Sequence, residues 1–155
     1  MIAYPVLLFI HSWLRWAVVA LAFVLLFRAV TRGRGGQPWM PGDRTLSVVF
    51  TSVLDTQVLL GLGLYFGLSP FTPRSMAMFG AAMKDHALRF FAVEHAFAMI
   101  FAMLAAHVGV AASKRADDDA TRYKRVALGV AVALFAIAVG IPWPGLPYAR
   151  PLFRF

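Results

Sequence analysis

Residues 2–30 read IAYPVLLFIHSWLRWAVVALAFVLLFRAV. Only His11, Ser12 and Arg15 interrupt the apolar run before Arg28. A helix rises about 1.5 Å per residue, so this stretch is long enough to cross the roughly 30 Å of hydrocarbon in a bilayer. Three more runs follow, at residues 46–68, 86–113 and 126–143. The last is short, and Pro142, Trp143 and Pro144 complete it at the interface.

Composition agrees. Hydrophobic residues make up 61% of the 155, and charged residues 14%. A soluble domain carries about a quarter charged residues, so lipid is the solvent for most of this surface. The expected fold is an all-α integral membrane protein, a four-transmembrane-helix bundle forming one domain over residues 1–155. The start does not read as a secretory signal: residues 1–5 contain no basic residue, and no small-residue cleavage pattern follows the first run.

Between the runs lie turn and surface segments. Residues 31–44 are rich in Gly, Pro and Arg, and Pro70 and Pro73 end the second run. Residues 72–84 are Met-rich and read as interfacial, whereas ADDDATRYKR at 116–125 is a charged, solvated loop. The Pro- and aromatic-rich tail after Pro144 is expected along the membrane surface. The first and third connections hold Arg28, Arg32, Arg34, Arg44, Lys114, Arg115, Arg122, Lys124 and Arg125. The opposite side holds Arg74, Lys84, Arg89, Arg150 and Arg154. The positive-inside rule puts the richer side in the cytoplasm and both termini on the periplasmic side.

Several chemistries are excluded. The chain has no cysteine, which removes disulfides, thiolate metal sites, iron–sulfur clusters and c-type haem. Its net charge of +8 sits beside apolar spans, which reads as topology control and contact with anionic lipid, with no nucleic-acid partner. No nucleophile–base pair, phosphate-binding loop or zinc spacing is visible.

Ionisable residues within the spans carry the functional information, because each costs about 2.5–3.5 kcal/mol on insertion scales unless it is paired. Span one carries His11 and Arg15, span two Asp55 with Gln57 nearby, and span three Glu94, His95 and His107. Counted from the outer span ends, His11 and His95 both lie about 12 Å deep. Arg15 and Asp55 share a deeper level, about 18–20 Å. The Arg15–Asp55 match is expected to be a structural ion pair fixing helix register; a proton or ion pathway is the sharper alternative.

His11 and His95 admit two readings. In one they are hydrogen-bonded packing residues, with Glu94 the partner of His11. In the other they are the two axial ligands of a b-type haem held between spans one and three. Small residues Ala92, Ala96, Ala98, Ala102, Gly61, Gly63 and Gly67 leave room for a flat ligand, or simply let helices pack closely. A third possibility is copper: His95, Met99 and Met103 form a stripe at helical spacing, with Met76, Met78, Met83 and His86 beyond it. Thioethers with imidazole suit Cu(I), though such stripes commonly fill cores. Trp13 and Trp16 line a quinone or porphyrin pocket on one reading and anchor the chain to lipid on the other.

HSWLRW (11–16), DTQVLLGLGLYF (55–66) and RFFAVEHAFAMIFAMLAAHVG (89–109) together resemble a group of small bacterial four-helix membrane proteins of the cytochrome-b-like type. The likeness covers most of the chain and implies a bacterial inner membrane. Bacterial four-helix di-haem b-type cytochromes, similar in architecture, carry haem ligands on spans one, two and four. This sequence has no histidine in its second or fourth span, so at most one bis-histidine haem remains.

The expectation is therefore a membrane electron-transfer protein. His11 and His95 ligate one b-type haem near the periplasmic side, Glu94 and Arg15 tune it, and the partner is a quinone or a larger respiratory or photosynthetic complex. The alternatives are a non-catalytic accessory subunit of such a complex, without cofactor, and a copper-binding or copper-transporting protein using His95 and Met99.

Overall fold

The computed structural model describes residues 3–68 and 77–154. Four long helices dominate: α1 (Ala3–Arg34), α2 (Pro41–Leu68), α3 (His86–Ser113) and α4 (Asp119–Gly140). All four are long and apolar enough to cross a membrane. No strand occurs among the described residues. A single helical turn, Phe79–Ala82, precedes α3. Pro70, Pro73, Arg74 and Met76, which entered the sequence argument, lie outside the described residues.

The helices run around a ring. α1 touches α2 and α4, α3 touches α2 and α4, and α1 faces α3 across the diagonal. The α3–α4 contact is the most intimate. Its cause is a pair of glycines: a Cβ added at Gly109 would lie 2.8 Å from the Gly129 Cα, so only two glycines allow this approach. Ala102, Ala106 and Ala133 are completely buried, whereas Phe27, Phe66, Phe97 and Phe135 are 71–73% exposed. Phenylalanines this exposed are expected when lipid is the solvent, and buried alanines let the helices approach closely.

At the loop end α1, α2 and α4 reach beyond the apolar runs, whereas α4 stops at Gly140, short of the expected 143. α1 continues to Arg34 and α2 starts at Pro41. Proline suits the first helical position, where its missing N–H is not needed. Asp43 then caps the start of α2, accepting the Met40 backbone N–H at 2.9 Å. This carboxylate is 1% exposed and holds the loop end of the bundle together. It also accepts from Arg28 and, at 2.6 Å, from the Tyr123 hydroxyl of α4. Arg32 donates to that same hydroxyl at 2.8 Å, and Trp39 packs on the Tyr123 ring. α4 starts at Asp119 because Asp118 caps it, accepting from the Thr121 backbone N–H and hydroxyl. Those bonds hold the Asp118 carboxyl below the usual carboxylate range.

At the other end two helices loosen into π turns, Leu64–Leu68 closing α2 and Phe90–Glu94 within α3. Tyr65 joins them, its hydroxyl donating to the Ala92 carbonyl at 2.7 Å. Residues 141–154 turn back at Gly145, whose φ of +91° favours glycine, and fold over this end of the bundle. Tyr148 stacks on Phe90 at 3.8 Å and Phe153 on Trp16 at 5.4 Å. The tail is thus part of the packed structure.

Asp43→Ala should destabilise the bundle by about 3 kcal/mol, since a buried hydroxyl and two guanidiniums lose their acceptor together. Asp43→Asn, which keeps an acceptor oxygen, should lose less. Equilibrium unfolding in detergent, followed by helical circular dichroism, reads both.

Candidate functional site

The site lies at the tail-covered end and takes one side chain or more from each helix. His11, Ser12 and Arg15 project from α1, with His11 and Arg15 on one face by their four-residue spacing. Gln57 and Gly61 come from α2 and His95 and Met99 from α3; the end of α4 and the tail close the far side.

His95 is held by a carbonyl that the sequence of α4 releases. In an α-helix the Gly140 carbonyl would take the N–H of residue 144, but that residue is proline. The His95 ring takes it instead, with Nδ1 2.7 Å from the oxygen. A carbonyl only accepts, so Nδ1 carries the proton and neutral His95 presents an unprotonated Nε2. Pro142 likewise frees the Ala138 carbonyl, which the Trp143 indole takes at 2.7 Å.

His11 meets His95 across the diagonal. Their ring centroids are 6.3 Å apart and their planes cross at 70°. The Gln57 amide donates to the His11 backbone carbonyl at 2.9 Å and reaches the His11 Nε2 at 3.4 Å, a long hydrogen bond. Gly61 makes room: a Cβ there would sit 3.2 Å from the His11 Cε1.

Three cavities meet at the imidazole pair, and His11 and His95 line all three. The largest, about 120 Å³, also touches Ser12, Arg15, Tyr65, Phe91, Arg150 and Arg154. The others, about 40 and 30 Å³, are both lined by Met99 and Gln57. Around this space His11 Nδ1, Arg15 Nε, Gln57 Oε1 and Arg154 Nε are buried without a hydrogen-bond partner. A buried polar atom left unsatisfied costs about 1–3 kcal/mol, so several at one void mark a place built for a guest or for water. Among the described residues no carboxylate lines the three cavities, whereas Arg15, Arg150 and Arg154 do, so the described lining is cationic.

Two expected pairings are corrected. Arg15 does not pair with Asp55. Its Nη2 donates to the Leu152 carbonyl of the tail at 2.6 Å, and Asp55 instead meets His107, Oδ1 to Nε2, at 2.8 Å. The reason is helical phase: Gln57 faces inward at 5% exposure, and two residues turn about 200°, which points Asp55 outward. Nor is Glu94 the partner of His11. It accepts from Arg89 Nε at 2.6 Å and lines none of the three cavities.

Trp13 and Trp16 fasten the tail, their indoles donating to the Arg154 and Leu152 carbonyls at 2.9 and 3.1 Å. Sequence reasoning missed the Gly140 carbonyl, the tail, Tyr65 and the part played by Gln57. The pair of prolines at 142 and 144 was the available signal, since each must leave a carbonyl for another donor. Met76, named for copper, lies outside the described residues. Met78 is 61% exposed in the segment before α3 and Met83 sits beside it, and neither lines the three cavities. His86 starts α3, several turns before the site. Among the described residues no group of three His, Cys, Asp or Glu side chains gathers as a metal site.

Truncation after Ala149 should uncover Trp13 and Trp16. In a Trp39→Phe, Trp143→Phe background the emission should shift to the red and iodide quenching should rise. Unchanged quenching would show that the tail does not cover α1.

Comparison with family models, curated proteins and solved structures finds no match for this chain.

Proposed function

We propose that this chain is an electron-transfer protein of the bacterial inner membrane, with both termini periplasmic, that holds one b-type haem between His11 and His95. The observation that carries the reading is the pair of imidazoles facing across the bundle at 6.3 Å, with cavity space opening around them on three sides. A haem held here would take one imidazole from His11 and one from His95. The Lys and Arg distribution supports the orientation.

The donor set fits the group. His95 is preorganised, because the Gly140 carbonyl fixes its tautomer and the direction of its Nε2. His11 is held on α1 beside Gln57, whose amide would hydrogen-bond near the ligand edge. Gly61 keeps the His11 ring free of a neighbouring Cβ. Arg15, Arg150 and Arg154, lining the mouth of the largest of the three cavities, complement the two carboxylates that a haem carries. The tail shields this end from water, and low dielectric strengthens those charge contacts. A haem in this position supplies one-electron transfer, at a potential set by its axial ligands and their surroundings. The electron partner is a quinone in the bilayer or a larger membrane complex.

One observation favours a second reading. Met99 lines both smaller cavities together with His11 and His95, and two imidazoles with a thioether suit Cu(I). A visible spectrum of the protein extracted in mild detergent separates the two. Haem predicts a Soret band that His11→Ala or His95→Ala abolishes and Met99→Leu retains. Copper predicts a colourless protein whose bound Cu(I) falls to background in Met99→Leu. A colourless, copper-free protein that co-purifies with a larger assembly overturns both, and matches an accessory subunit.

A further inference from the structure

Asp55 and His107 bond to each other on the outside of the bundle, where α2 and α3 make the sparsest of the four neighbouring-helix contacts. Their side chains keep 38% and 48% exposure. Asp55 lies nine residues past Leu46, where the apolar part of α2 begins, about 14 Å on a rise of 1.5 Å per residue. That is inside the hydrocarbon of any bilayer this helix crosses. Ionisable residues at such depth almost always face the interior of a bundle, as His11, Arg15 and His95 do here. The Asp55–His107 pair is the exception, since it faces out.

The pair does not stand alone. Ser52 and Thr56, four residues apart on α2, are exposed beside Asp55. They form a polar, small-residue stripe on an otherwise apolar exterior. Leu59 and Leu104, 67% and 53% exposed, extend this face on the two helices. Small hydroxylated residues let transmembrane helices approach closely, and polar side chains hydrogen-bond between them.

We propose that a second copy of this chain covers this face, forming a twofold dimer in the membrane through α2 and α3. The patch is its own complement. As an ion pair, with His107 protonated, it presents an acceptor, Asp55 Oδ2, and a donor, His107 Nδ1–H, beyond the bond they share. A twofold axis sets the Asp55 of one copy near the His107 of the other and repeats the contact in reverse, as an isologous interface requires. An unrelated partner would have to supply both groups independently. The dimer is independent of what His11 and His95 hold.

The chain has no cysteine, so a disulfide at one introduced position reports self-contact without background. Ser52→Cys and Thr56→Cys should each cross-link to a dimer in native membranes on mild oxidation, at least tenfold more than Phe135→Cys, which is equally lipid-facing on α4. Adding Asp55→Ala with His107→Ala should reduce the cross-linking at Thr56→Cys at least fivefold. If that variant does not fold, the mass of the unmodified protein in nanodiscs serves instead, and two copies per disc are expected. Cross-linking no greater than at Phe135→Cys, a single copy per disc, or Thr56→Cys joined only to a different protein would each overturn the dimer.

Discussion

The end of α4 shows the constraint under which this structure is built. In hydrocarbon no water satisfies a stray backbone group, so each N–H and C=O needs a partner within the protein. Pro142 and Pro144 withdraw two donors where α4 finishes, and the carbonyls of Ala138 and Gly140 are left over. Trp143 takes one and His95 takes the other. The second bond ties α3 to α4, sets the tautomer of the histidine and aims its Nε2. One backbone vacancy in one helix thereby determines the chemistry of a side chain in its neighbour.

The same logic places the tail. Arg15 is a full positive charge on a helix facing the bundle, and no carboxylate reaches it among the described residues. Its partner is the carbonyl of Leu152, which the fold brings back over α1 once the chain has turned at Gly145. Trp13 and Trp16 add indole donors to the same segment, and Phe153 stacks on Trp16. Trp13 and Trp16, read from the sequence as lipid anchors or pocket walls, here anchor the protein's own tail. That folding back forms one wall of the largest of the three cavities at the imidazole pair and adds Arg150 and Arg154 to it.

Packing and chemistry are divided between the two ends. At the loop end, Asp43 binds α1, α2 and α4 together through Arg28, Arg32 and Tyr123, beside an open groove of about 520 Å³ between α1 and α4. Midway, Gly109 against Gly129 brings α3 and α4 into backbone contact. At the tail end the π turns widen α2 and α3, and polar atoms remain without partners around the His11–His95 pair. π turns recur at functional sites because an inserted residue shifts the helical phase and frees backbone groups.

The four helices were legible in the sequence because membrane insertion depends on composition and length, which are local properties. The shared level of His11 and His95 was legible too, since depth follows from counting residues at a fixed rise. Which residues face one another was not. Asp55 and Arg15 match in depth but not in direction, and direction depends on how each helix is rotated against its neighbours. Glu94 and His95 are adjacent in the chain, yet they diverge by about 100°, one towards Arg89 and the other into the bundle. The sequence by itself determined four apolar helices and the common level of His11 and His95. Only the tertiary structure decided the rotation of each helix and the path of the tail, because both are set by packing and hydrogen bonds between segments far apart in the chain.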